Sequence, residues 1–137
     1  MGELGFEVRL GAGFAEAVER VTGALKAEGF GILTRIDVHT TLKEKIGAEF
    51  RPYAILGACN PSLAHQALSH RAEVGLLLPC NVTVEAATSG TGSVVRIGDP
   101  AVMLATGGFD REPPLREVAT EARARLERVA RALEGVA

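Results

Sequence analysis

The sequence predicts one α+β domain, and three observations support this prediction. Short stretches that alternate apolar and polar residues, as half-buried strands do, are interspersed with stretches that repeat apolar residues at helical spacing. A glycine-containing turn over 89–92 predicts a hairpin, so part of the sheet is expected to be antiparallel. The length of 137 residues suits a single hydrophobic core, and residues 1–137 are therefore treated as one domain.

The N-terminal part of the chain is predicted to form two strands around one helix. Residues 6–10 alternate apolar and charged side chains, which predicts the first strand. Over 14–26 the apolar residues recur at helical spacing, and Gly29 is placed to end that helix in the left-handed conformation. The second strand is predicted over 31–38, where the alternation is most regular.

The middle of the chain contains two helix starts and one buried strand. Thr41 and Glu44 have the spacing of a capping box, which predicts a short helix that Gly47 ends. Residues 53–59 are apolar on both faces, as in a central strand. Asn60 precedes a proline and therefore predicts the N-cap of the next helix.

Beyond that helix, the sequence predicts more of the sheet. Strand is predicted over 74–78 and 82–85, with an interruption at Pro79, which cannot donate to the ladder. The hairpin turn leads into a further strand over 93–97. Residues 105–114 are predicted to be a loop.

The chain is predicted to end in an amphipathic helix over 113–135. Its apolar residues form one stripe, as in a helix that packs against a core. On the polar side, Glu121 and Arg125 are four residues apart, as are Glu127 and Arg131, which favours ion pairs along the helix.

Charge and hydropathy narrow the classes of partner. The formal net charge of -2 provides no basic field for a phosphate backbone, so no nucleic acid partner is predicted. No apolar stretch approaches the roughly 18 residues of a membrane span, and no signal pattern begins the chain, so we expect no membrane association and a cytoplasmic location. The excess of arginine over lysine and the few amides suit a thermophile or a GC-rich genome.

The densest chemical signal is a cysteine followed by an asparagine, which occurs twice. The only two cysteines and two asparagines of the sequence form the pairs Cys59-Asn60 and Cys80-Asn81, each next to a proline. Cys59 precedes a predicted helix, whose N-terminal amides favour a reactive thiolate. Alternatively, both cysteines are small core residues, and the asparagines bond to nearby backbone.

Both pairs are predicted at breaks in regular strand, so they are candidates for one shared pocket, metal site or disulfide. A zinc site would also require imidazole ligands such as His39 and His65. These cysteines and histidines lack the compact spacing of a zinc motif, and no metal is predicted.

A second candidate surface lies on the predicted second strand. Alternation places Arg35, Asp37 and His39 on one side of that strand, together with Glu7 and Arg9 of the first strand. If helices leave this face uncovered, it is suited to an anionic small molecule or to a partner subunit. Solvated ion pairs between strands are the alternative.

Six short segments occur along the chain in this order: Gly29-Phe30-Gly31, Arg35-Ile36-Asp37-Val38, Leu42-Lys43, Gly57-Ala58-Cys59-Asn60-Pro61, Leu77-Leu78-Pro79-Cys80-Asn81 and Asp99-Pro100 through Met103. Together they resemble the domain-of-unknown-function family DUF302, with a core over about 6–103 followed by the terminal helix. The resemblance implies a TATA-binding-protein-like fold, in which a single copy forms a curved, mainly antiparallel sheet with helices on one face and pairs into dimers. It implies no established activity, and the fold analogy gives no warrant for DNA binding.

These observations predict a homodimeric protein that binds a small ligand or assists another protein, with its site near the two Cys-Asn pairs. Two alternatives stay open: an enzyme or thiol carrier with Cys59 as nucleophile, and a structural dimerisation module without a ligand. No cofactor is identified. The candidate ligand-binding residues are Cys59, Asn60, Cys80, Asn81, Arg35, Asp37 and His39.

Overall fold

The structure is a computed structural model, and it describes residues 4–135. Its strands and helices are, in chain order, β1 (Gly5–Leu10), α1 (Phe14–Ala27), β2 (Gly31–Asp37), α2 (Val38–Ile46), β3 (Tyr53–Cys59), α3 (Pro61–His70), β4 (Cys80–Ala86), β5 (Ser93–Gly98), α4 (Pro100–Thr106) and α5 (Pro113–Leu133). Two 3₁₀ segments, Ala72–Leu77 and Phe109–Arg111, connect α3 to β4 and α4 to α5.

The five strands form one antiparallel sheet in the order β1-β5-β4-β3-β2. β4 and β5 are neighbours joined by the predicted hairpin turn, and β3 has a strand on each side, as its apolar sequence predicted. The predicted α+β class with an antiparallel sheet is therefore confirmed.

Helices pack on one face of this sheet. Along β3, Ala54, Leu56 and Ala58 point to the same face and are buried, and their partners on β4 include the buried Val82 and Val84. Helices α1 and α5 bury their apolar stripes against these strands, which removes both surfaces from water. The helical residues of this main core are Ala17, Val18, Val21 and Leu25 of α1, Leu63 of α3, and Ala122, Leu126, Val129, Ala130 and Leu133 of α5.

Two predicted helix boundaries are confirmed in atomic detail. Gly29 has φ +86°, and the Phe30 N–H donates to the Leu25 carbonyl at 2.9 Å, which is the hydrogen bond of a Schellman ending. The Asn60 Oδ1 accepts from the Leu63 N–H at 3.1 Å, so this side chain caps α3 as predicted.

The strand predicted over 74–78 is wrong, because this range lies within the 3₁₀ segment Ala72–Leu77 and the turn that follows it. β3 ends at Cys59 and the chain then turns into α3, so no strand lies opposite the residues before Cys80. An apolar run without a neighbouring strand cannot join the ladder.

The loop predicted over 105–114 is also partly wrong. Helix α4 extends to Thr106, and α5 begins at Pro113. The side chain of Asp99 accepts from the Ala101 N–H at 2.9 Å and caps α4, while its second oxygen pairs with Arg123 of α5 at 2.9 Å. One buried carboxylate thus starts one helix and connects it to another.

The boundary between β2 and α2 differs from the prediction. β2 ends at Asp37, and Val38 already belongs to the helix, so Thr41 lies inside α2 and the predicted capping box is wrong. The Asp37 side chain accepts from Arg35 at 3.0 Å and does not cap the helix. Gly47, with φ +67°, ends α2 as predicted.

Among the described helices, none combines the length and the apolar character that a membrane crossing requires.

Candidate functional site

A cavity of about 130 Å³ lies at one end of the sheet, and both Cys-Asn pairs line it. The end of β3, the start of β4 and the end of β5 contribute to its wall, together with α3, α4, α5 and the 3₁₀ segment Ala72–Leu77. The structure therefore brings together the four residues that the sequence singled out: Cys59, Asn60, Cys80 and Asn81.

The cavity lies between two hydrophobic clusters. The main core contributes Leu63 to its wall, and a second cluster contributes Val74 and Leu104. Val118 of α5 packs against both clusters. Small side chains leave the space between the clusters open, and the alanines that line it are Ala58, Ala64, Ala67, Ala119 and Ala122.

Cys80 lies at the start of β4, opposite Ala58, and therefore points to the helix-covered face. Burial raises the pKa of its thiol to about 11, and the neighbouring Cys59 adds to the increase. Because the charged form is disfavoured by apolar surroundings, Cys80 is a neutral thiol at physiological pH and a poor nucleophile.

In the pairing of β3 with β4, Cys59 is the residue that follows the partner of Cys80. Cys80 is opposite Ala58, so Cys59 is directed to the other face of the sheet, at the last residue of β3. Both thiols are free and half-buried. Side chains that leave adjacent strands on opposite faces cannot form a disulfide without backbone movement, and the disulfide interpretation loses support.

The two asparagines have different roles in the wall of the cavity. Asn60 is buried and caps α3, whereas Asn81 is exposed and pairs with Gly57 across the sheet. A Cβ atom at Gly57 would lie 2.8 Å from Pro79 Cγ and would also contact the Thr34 hydroxyl. Glycine is required here because a loop and a neighbouring strand approach its backbone closely.

The second candidate surface does not join this cavity, because Arg35, Asp37 and His39 are not among its lining residues. The register of β2 shifts between Ile32 and Thr34, which places Arg35 opposite Leu56 and Asp37 opposite Ala54. The bulge reverses the faces beyond it. These two residues therefore lie at the margin of the helix-covered face, and the prediction that they share a face with Glu7 and Arg9 is wrong.

His39 is held by local structural contacts. Its Nδ1 accepts from the Tyr53 N–H at 3.0 Å, and its ring packs edge-on against Phe14 with the centroids 5.6 Å apart. Asp37 is bonded to Arg35 and does not orient this imidazole. The contacts of His39 tie the start of α2 to β3 and α1.

No group of three or more His, Cys, Asp and Glu side chains within residues 4–135 is positioned to hold a metal ion. Apart from the two Cys-Asn pairs, most of the cavity lining is apolar. Sequence reasoning missed this apolar lining, because it assigned α3 and α5 alanines to a filled core and did not predict α4. The lining residues that α4 and the 3₁₀ segment contribute are Met103, Leu104, Val74 and Leu77.

A cluster of charged residues fastens the 3₁₀ segment to the beginning of α5. Glu112 accepts from Arg71 at 3.0 Å and contacts the His70 Nε2 at 2.9 Å. Arg71 also pairs with Glu73 and lies over the Phe109 ring, 5.4 Å from its centroid. This cluster joins the two chain segments that flank the cavity between α3 and α5.

The fold and the cavity define a class of antiparallel α+β proteins with a small apolar cavity at one end of a helix-covered sheet. The family described as domain of unknown function DUF302 matches residues 6–133, and the chain belongs to this family.

A solved structure agrees with this assignment. The chain is similar to an uncharacterized conserved DUF302 protein from Bacillus stearothermophilus, known from a crystal structure. The two are 28% identical, with a TM-score of 0.84, and the similarity covers 96% of this chain and 99% of the other. Among curated proteins, no sequence matches this chain.

Proposed function

We propose that this protein binds a small, largely apolar ligand in the cavity lined by the two Cys-Asn pairs. The observation that carries the proposal is an apolar space between two otherwise packed clusters. Protein interiors are close-packed, and unfilled space of this size is uncommon in a small domain. An engineered apolar cavity of about 150 Å³ binds benzene, so about 130 Å³ is of the size for an apolar body of about six carbon atoms.

The energetics of packing support the same conclusion. Losing the apolar atoms that fill a cavity destabilises a protein by about 24 cal/mol per Å³, so filling about 130 Å³ with apolar atoms corresponds to at most about 3 kcal/mol. This is a large fraction of the stability of a typical domain. A ligand that fills the cavity restores the missing contacts, which provides a driving force without any charged group.

A second candidate function is a thiol carrier or thiol enzyme that uses Cys59. Cys59 is half-buried and lies at the end of β3, one residue before the N-cap of α3. Cys80 does not favour this function, because burial keeps its thiol protonated.

The effect of benzene on thermal unfolding tests the binding function. We expect benzene at ten times its Kd to stabilise the protein by about 1.4 kcal/mol, or about 4–8 °C in Tm. Ala119→Leu, which fills the cavity, is expected to abolish the shift, and Ala132→Leu at an exposed position of the same helix is expected to retain it.

Failure of benzene to raise the Tm of the unmodified protein, or a persisting shift in Ala119→Leu, would contradict the binding function. Cys59→Ala tests the second candidate, because a thiol function that uses Cys59 is lost in this variant, whereas the binding function predicts an unchanged response to benzene. Intact masses from native and denaturing solution then supply the mass of any natural ligand that copurifies.

We further propose a homodimer in which a second copy covers the sheet face without helices. Ile36 and Ile55 are directly opposite one another on that face, and Ile36 is 49% exposed. Thr83 Oγ1 on the same face is buried and has no hydrogen-bond partner among residues 4–135. A cytoplasmic location is part of the same proposal, on the sequence grounds given above. A dimerisation module without a ligand is the third candidate, and the benzene experiment distinguishes it.

A further inference from the structure

The elements that form the wall of the cavity differ in how firmly they are held. β3, β4 and β5 are each bonded to neighbouring strands. α3 begins at the capping side chain of Asn60, and α5 buries a continuous apolar stripe. α4 is capped by Asp99, whose carboxylate also pairs with Arg123 of α5. None of these elements can leave the wall without breaking ladder hydrogen bonds, a helix cap or a packed stripe.

The 3₁₀ segment Ala72–Leu77 is held less firmly. Val74, which is 2% exposed and lines the cavity, is its one buried residue. The backbone hydrogen bonds at its two ends are local, since the Val74 N–H donates to the Arg71 carbonyl and the Leu78 N–H to the Gly75 carbonyl. Segments with few buried contacts and local hydrogen bonds open at a low cost in free energy.

Both ends of this segment are anchored to other elements. At the N-terminal end, Arg71 pairs with Glu112 at 3.0 Å, at the start of α5. At the other end, Pro79 lies against Gly57 of β3, where an added Cβ atom would be 2.8 Å from the Pro79 Cγ. The segment therefore forms a strap along the cavity that is fixed at two points.

We propose that the 3₁₀ segment Ala72–Leu77 is the lid of the cavity and moves outward to admit and release the ligand. This inference rests on the proposed binding function and adds the route of exchange. When the lid opens, Val74 and Leu77 leave the lining, and the space between the two hydrophobic clusters becomes continuous with solvent. The ion pair of Arg71 with Glu112 is the latch that ties the lid to α5.

Two substitutions outside the cavity lining are expected to move the lid in opposite directions. Glu112→Gln removes the ion pair with Arg71 and favours the open lid. Gly75→Ala favours the closed lid, because a Cβ atom at this exposed position would lie 3.6 Å from Leu68 of α3, an ordinary packing distance. Alanine also reduces the conformational freedom of the open segment. Neither substitution changes the surface that the bound ligand contacts.

Exchange of fluorobenzene between its free and bound forms, measured by fluorine NMR on the full chain, tests the proposal. Opening precedes both entry and exit, so the association and dissociation rates are expected to change by the same factor at constant Kd. We expect exchange to be about two- to five-fold faster in Glu112→Gln and about two- to five-fold slower in Gly75→Ala.

Each variant has a matched control. Glu121→Gln removes an ion pair elsewhere on α5, and Gly23→Ala makes the same glycine substitution at an exposed position of α1. A Cβ atom at Gly23 would meet no atom within 4 Å. Both controls are expected to retain the exchange rates of the unmodified protein, even if Gly23→Ala raises the Tm.

Unchanged exchange rates in both lid variants would overturn the inference, because the ligand would then enter elsewhere, past the ends of β4 and β5. A change in Kd without parallel changes in both rates, or equal rate changes in the controls, would overturn it as well. In each of these cases the binding function still stands if benzene raises the Tm. If neither benzene nor fluorobenzene binds, both proposals fall.

Discussion

The two cysteines have nearly the same local sequence but are directed to opposite faces of the sheet. In the pairing of β3 with β4, the residue opposite Cys80 is Ala58 and not Cys59. Cys80 is opposite Ala58 and points into the apolar space, whereas Cys59 points to the other face. Burial raises the pKa of Cys80 to about 11. The register therefore determines which face of the sheet each thiol is on, and residue type alone does not show this.

Alkylation with iodoacetamide is expected to separate these thiols. At pH 8 we expect Cys59 to react at least ten-fold faster than Cys80, because only the thiolate attacks and burial keeps Cys80 protonated. The rate at Cys80 is expected to rise about ten-fold per pH unit until its pKa of about 11. Peptide mass spectrometry of Cys59→Ala and Cys80→Ala measures each rate, and equal rates at pH 8 would contradict this assignment.

Asn60 stabilises the start of α3 through its side-chain oxygen. Asn60→Ala is expected to lower the free energy of unfolding by about 1 kcal/mol, because the Leu63 N–H loses its acceptor. Asn60→Asp retains the acceptor and is expected to keep most of the stability. Urea denaturation of both variants measures the difference, and equal losses would show that the cap is not the cause.

At the scale of the element, the 3₁₀ segment Ala72–Leu77 is the part of the cavity wall with the weakest connections. Its backbone has no strand partner, and Leu76 is 89% exposed. Val74 alone is buried among its residues. The ion pair of Glu112 with Arg71 and its contact with His70 hold the chain just before it.

Removal of the Glu112 charge is therefore expected to loosen this segment. In Glu112→Gln, the amides of 72–77 are expected to exchange with deuterium several-fold faster, because opening of the segment no longer breaks the ion pair of Glu112 with Arg71. Glu121→Gln, which removes an ion pair elsewhere on α5, is the control. Unchanged exchange over 72–77, or equal acceleration in the control, would count against this role of Glu112.

Helix caps show how far the sequence could have predicted these elements. Asn60-Pro61 correctly predicted the start of α3, and Asp99-Pro100 has the same pattern of a capping side chain before a proline. The pattern at Asp99 indicates α4 in the same way, although only the loop over 105–114 was predicted for this part of the chain. By contrast, the bulge at Leu33 leaves no comparable signal, because it depends on how β3 aligns with β2.

At the scale of the whole molecule, the cavity arises from how two hydrophobic clusters meet. Alanines on α3 and α5 have the same period as the leucines around them, so the sequence shows an apolar stripe in either case. Whether an alanine leaves a space depends on the distance between helices and on α4 across from them. That both Cys-Asn pairs line one cavity was predictable from the strand breaks, but the volume and the apolar lining of this cavity were not.

The uncovered face of the sheet gives the remaining prediction at this scale. Ile36→Lys is expected to convert the proposed homodimer to a monomer with unchanged circular dichroism, because an unpaired ammonium in place of Ile36, beside Ile55, is costly to bury under a second copy. A loss of affinity of about 100-fold corresponds to about 2.7 kcal/mol.

Leu76→Lys on the 3₁₀ segment places the same charge at a more exposed apolar position and is expected to leave the dimer intact. Sedimentation velocity measures all three proteins, and an unmodified chain that is monomeric at roughly 0.1 mM would exclude this interface. A dimer that survives Ile36→Lys places the contact elsewhere, since the substitution introduces a charge directly opposite Ile55.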